Sequence, residues 1–107
     1  MYKPKSTREI YIESLSINSA SIEKQLTEES IQTEEIWSIQ DFVSEIYLKD
    51  VERIVTLCDK DITALEYVPS PLKLFVDCLA QAQKSLSLSS PARRLFQRYT
   101  SAWEDWM

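Results

Sequence analysis

The stretch that decides the fold is Glu34 to Asp59, EEIWSIQDFVSEIYLKDVERIVTLCD. On a helix of 3.6 residues per turn, Ile36, Ile39, Val43, Ile46, Tyr47, Val51, Ile54 and Cys58 fall along one stripe. Glu34, Ser38, Asp41, Glu45, Lys49, Glu52, Thr56 and Asp59 collect on the opposite face. The division predicts a helix half buried against others and half in water, about 39 Å long if unbroken at 1.5 Å per residue. Thr33 suits its N-cap, and Glu34 and Glu35 complement the positive end of the helix dipole.

Asp50 breaks the stripe, with Tyr47, Val51 and Ile54 as neighbours. A bare carboxylate in a core is costly, so something must answer it. Either the helix stops near Lys49 and restarts with Asp50 as N-cap, or Asp50 meets an arginine of this chain or of a partner.

Downstream, Asp59 or Asp61 could cap a short helical turn through Ile62, Leu65 and Tyr67 that ends before Pro69. Ser70-Pro71 is a cap residue followed by proline at the first helical position, where its missing N–H costs nothing. The helix from Pro71 to about Leu86 is expected to bury Leu72, Phe75, Val76, Leu79, Ala82 and Leu86, with Leu74 and Cys78 widening the face. That should make it the most buried helix. The same signal recurs at Ser90-Pro91, and in the last helix Phe96, Tyr99, Trp103 and Trp106 follow spacings of three or four.

Upstream, Ser6 stands three residues before Glu9, the spacing of a capping box. The following IYIESLSI admits a strand-like alternation or a loose helix. With no other strand to pair with, a short helix is expected. From Asn18 to Thr33 the composition turns to serine, threonine and glutamate, and only Ile22 and Leu26 share a face. A weak helix or partly ordered connector is predicted there. Residues 1–33 therefore read as an N-terminal helix or arm plus connector, and 34–107 as the helical core of a single domain. The fold class expected is all-α, a compact bundle of four to five helices built on the long central amphipathic helix.

At 107 residues the chain suits one core and no more. Absences bound its chemistry. It has no glycine, where average usage of about 7 % would give about seven, so neither a Walker loop nor a dinucleotide fingerprint can form. With no histidine it lacks the commonest general base and metal ligand. Cys58 and Cys78 are too few and too far apart for a disulfide framework or a zinc site, and suggest two buried thiols on neighbouring helices, with a regulatory disulfide as the alternative. No apolar run nears the roughly 18 residues of a membrane span, and no signal peptide precedes the first helix, which points to a cytoplasm.

Charge is uneven. Residues 1–68 carry seven positive and fourteen negative side chains, and residues 69–107 five and three. Phosphate binding would thus be confined to the C-terminal third, at Arg93, Arg94 and Arg98. The aromatic stripe of Phe96, Tyr99, Trp103 and Trp106 reads as core, as a binding edge, or as both, with Phe96 and Tyr99 inside and Trp103 and Trp106 at an edge. On the central helix, Asp41, Glu45, Glu52 and Asp59 read as a solvated face, a docking surface for a basic partner, or a metal or general-acid carboxylate site. By elimination the chain is expected to be a non-enzymatic protein-interaction module without cofactor or metal. Its partner would be another protein bound through Trp103, Trp106, Tyr99, Arg94, Arg98, Asp41, Glu45 and Asp50, with homodimerisation also open. The alternatives are a small nucleic-acid-associated subunit and a carboxylate-based enzyme.

Overall fold

Ser6 opens the first helix: its hydroxyl accepts from the Glu9 amide at 3.2 Å, one arm of the expected capping box. The computed structural model describes residues 6–60 and 68–106, the last four of these without their side chains. Within them lie four helices and no strand: α1 (Thr7–Glu28), α2 (Thr33–Lys60), α3 (Pro71–Ser85) and α4 (Ser90–Trp106). The turn expected through Ile62, Leu65 and Tyr67 lies outside the described residues.

The all-α expectation holds, and α2 runs unbroken through Asp50. No restart at Asp50 is needed because its carboxylate sits at the rim of the buried stripe, 36 % exposed and 3.5 Å from Arg53 one turn on. Part of the carboxylate keeps its hydration and the Arg53 guanidinium, 75 % exposed, gives up little of its own, so the pair has modest desolvation to offset. At about 1.5 Å per residue α2 is about 42 Å long, close to the molecule's longest dimension of 43 Å.

The largest departure concerns the N-terminal third. Asn18 to Glu28 continues α1 as regular helix, and Tyr11, Leu15, Ile22 and Leu26 are buried. The four share one face at spacings of four, seven and four, but the turn between Leu15 and Ile22 presents the polar, half-buried Asn18 and Ser19. Ile10, Ile12 and Ile17 meanwhile point to solvent at 46, 42 and 63 % exposure. Apolar residues on both faces therefore mask the period.

α1 and α2 are antiparallel. Arg8 grips Glu52 through Nε and Nη2 at 3.0 and 2.9 Å, the Tyr47 hydroxyl donates to the Tyr11 carbonyl at 2.7 Å, and Gln40 donates to the Ser19 carbonyl at 3.2 Å. The turn between them ends α1 with a left-handed residue, Ser30 at φ 61°. Ser30 N–H donates to Thr27 O and Ile31 N–H to Leu26 O, a Schellman closure that stacks Ile31 on Leu26. Glycine ordinarily fills that position; a chain with none must bear the steric cost at a serine.

α3 begins as expected: the Ser70 hydroxyl accepts from the Lys73 amide at 3.2 Å and Pro71 occupies the first turn. Leu74, Phe75, Val76, Cys78, Leu79 and Ala82 are buried, whereas Leu72, expected inside, is 47 % exposed. Its neighbours Leu74 and Phe75 take the core side, turning the second residue of the helix outward. α3 packs against α1, α2 and α4, so the core is not limited to the helices after residue 33. α4 begins one residue early: Arg93 N–H reaches Ser89 O, and the cap is Ser89 rather than Ser90. Ala92, Leu95 and Phe96 seat it against the core.

Two stability outcomes follow from the first helix. Leu26→Ala, at a side chain with no exposure, is expected to cost about 2–5 kcal/mol in urea unfolding. An arm detached from the core would lose almost nothing. Ser30→Gly should raise stability by about 1 kcal/mol by relieving the left-handed serine.

Candidate interaction surfaces

At the start of α4, Glu35 from the first turn of α2 accepts from the Ser89 amide at 3.0 Å and the Ser89 hydroxyl at 2.6 Å. A carboxylate placed there meets the unsatisfied amides and the positive dipole of the helix. This fixes where α4 leaves the bundle and hence which residues its outer face displays.

That outer face carries Arg93, Arg94 and Arg98, all exposed. Arg98 lies 3.4 Å from Glu29 at the end of α1. The two helices are also joined by a hydrogen bond from Gln25 to the Tyr99 hydroxyl. Arg94 and Arg98 border a shallow groove with Glu29, Pro91, Gln97 and Ser101. Of the aromatic stripe, Phe96 is fully buried and Tyr99 half-buried. Helix α4 continues through Trp103 and Trp106, whose side chains, with that of Asp105, lie outside the described residues.

On α2 the predicted acidic face is open to water. Glu45 pairs with Lys49 at 3.3 Å, Asp50 with Arg53 at 3.5 Å and Glu52 with Arg8 at 2.9 Å. Such surface pairs stabilise little, since water screens them. The Arg8 hydrogen bonds also hold the Glu52 carboxyl below its ordinary value. Asp41 stands apart from these, facing an open groove between α1 and α2. The candidate residues of α2 and α4 are therefore not brought together: Asp41, Glu45 and Asp50 sit along the middle of α2, and Arg94 and Arg98 on α4 beside the end of α1.

The structure adds three residues that the sequence reading did not single out. Ile12 and Leu48, each 42 % exposed, line the groove, and Trp37 is 60 % exposed one turn before Asp41. A signal was present: Trp37, Asp41, Ser44 and Leu48 repeat at four, three and four, a second stripe beside the buried one with apolar ends.

Inside, no charged side chain is buried among the described residues, nor do three of their Cys, Asp or Glu side chains converge as a metal site. Cys78 of α3 is buried and Cys58 of α2 half-buried; both are free thiols. Burial pushes the Cys78 thiol up to about 12 and the Tyr47 hydroxyl likewise to about 12. Among the described residues no helix is long and apolar enough to cross a membrane. Comparison with protein-family models, with curated proteins and with solved structures gives no match.

The interior thiol has a measurable consequence. The folded state keeps Cys78 protonated where the unfolded chain, near the ordinary 9.0, releases its proton. Stability is thus full below the ordinary value and lost as pH rises from there towards 12. We expect Cys78→Ala to flatten the alkaline fall in melting temperature. A thiol reagent at pH 8 should modify Cys58 readily and Cys78 only after unfolding.

Proposed function

We propose that the protein is a non-enzymatic protein-interaction module, an adaptor, inhibitor or small regulatory subunit of a larger assembly, working in a cytoplasm through the outer faces of its helices. The observation that carries this reading is the placing of large apolar side chains in water: Ile12 and Leu48 stay exposed together on the groove between α1 and α2, and Trp37 stands exposed further along α2. Contiguous exposed apolar side chains rimmed by charge favour association, and tryptophan is prominent among residues that dominate binding energy. The fold is proposed to be a bundle with α2 as its long organising helix, which gives those side chains a rigid base.

A carboxylate enzyme gains no support, since Asp41, Glu45, Glu52 and Asp59 stand exposed along α2. The nucleic-acid alternative rests on Arg93, Arg94 and Arg98, of which Arg98 already faces Glu29. Binding to a polyanion would have to overcome the net charge of −5.

The test is affinity capture from the native cell with the full chain beside Trp37→Ala, and separately Trp103→Ala and Trp106→Ala, each checked for an unchanged melting curve. One protein retained in near-stoichiometric amount by the wild type, and lost with at least one tryptophan variant, supports the module. Salt-sensitive retention of single-stranded or duplex oligonucleotide without a protein partner transfers the assignment to the α4 arginines.

A further inference from the structure

Building on the reading of the protein as an interaction module, we propose that the groove between α1 and α2 is the docking site for a basic amphipathic helix of a partner protein. Its walls are set by the antiparallel pairing of Arg8 with Glu52 and of Ser19 with Gln40. Ile12 of α1 and Leu48 of α2, both on the groove, form an apolar end, each 42 % exposed. The middle is lined by small side chains, Ser16, Ala20 and Ser44, which permit close approach of a third backbone. Glu23 and Asp41 also line the groove; neither is joined to a cation among the described residues, and no lysine or arginine lines it. Trp37, one turn before Asp41, continues the same strip of α2 at 60 % exposure.

This pattern specifies the occupant. A trough between two antiparallel helices accepts a third helix laid along it. An extended strand would need backbone partners, and the walls offer none, because their amides and carbonyls are spent within the helices. From Ile12 to Glu23 the trough runs about 16 Å, three helical turns. A fitting partner places an apolar side chain between Ile12 and Leu48, a second near Trp37, and lysine or arginine between them to meet Asp41 and Glu23. Charge decides against an anionic lipid surface, which those carboxylates would repel. A second copy fits poorly: its basic helix is α4, whose Ala92, Leu95 and Phe96 are already buried in its own core.

The probe is a fluorescein-labelled amphipathic peptide of about four helical turns, with leucine on one face and lysine on the other, beside a twin carrying glutamate for lysine. Anisotropy is measured with the full chain and with Asp41→Lys, Leu48→Ser and Lys84→Gln, all at exposed positions where the fold should survive, as checked by circular dichroism. We expect the lysine peptide to bind at least about tenfold more tightly than its twin, Asp41→Lys and Leu48→Ser each to weaken it about tenfold, a shift of about 1.4 kcal/mol, and Lys84→Gln, on α3 away from the groove, to leave it unchanged. Equal binding of both peptides, no binding of the lysine peptide, or equal loss with Lys84→Gln overturns the assignment. So does a dimer in light scattering that Leu48→Ser dissociates, which makes a second copy the occupant. If the groove fails while a protein partner is still captured through the tryptophans of α4, the module reading stands without this site.

Discussion

The ring and hydroxyl of Tyr47 join three of the four helices at one point. The side chain has no solvent exposure, donates its proton to the Tyr11 carbonyl of α1 at 2.7 Å and meets Phe75 of α3 edge to face at 6.4 Å between ring centres. A buried hydroxyl without a partner costs about 1–3 kcal/mol, so the hydrogen bond makes a tyrosine tolerable at the centre of the core. It also sets the axial register of α1 against α2, since moving either helix by one residue would take the carbonyl away from the donor. Tyr11 repeats the device outward, its own hydroxyl bonding the Pro69 carbonyl just before α3. The exposed faces of α1 and α2, including the groove between them, inherit their alignment from this pair.

α4 depends on this frame at one remove. It packs on α3, and its entry is held by Glu35 of α2 against Ser89. Its far side is held to α1 by Gln25 against Tyr99 and by Glu29 against Arg98. The apolar residues of α4 provide the bulk of its attachment, while these polar contacts select its direction. Directional contacts around a non-directional apolar interface are a general means of choosing one arrangement among several of similar burial.

A chain without glycine must end its helices by other means. Before α3 it uses Ser-Pro, in which Ser70 caps the new helix and Pro71 suits its first turn. Between α1 and α2 it accepts a left-handed serine, with Ile31 packed down to secure the turn.

The sequence by itself determined the α2 stripe, the Ser70-Pro71 start, the burial of Phe75 and Leu79, and the uneven distribution of charge along the chain, because each is a local matter of helical period, capping or composition. Tertiary structure alone decided the rest. α1 is core because Tyr11, Leu15, Ile22 and Leu26 find partners on α2 and α3, a fact invisible where polar Asn18 and Ser19 interrupt the face and three isoleucines decorate the other side. Asp50 stays within a continuous helix because its place at the rim leaves it in water beside Arg53. The groove bearing Ile12, Asp41 and Leu48 exists only once two helices distant in sequence lie side by side: periodicity tells which residues share a face, but which faces meet, and what is left between them, is settled by packing.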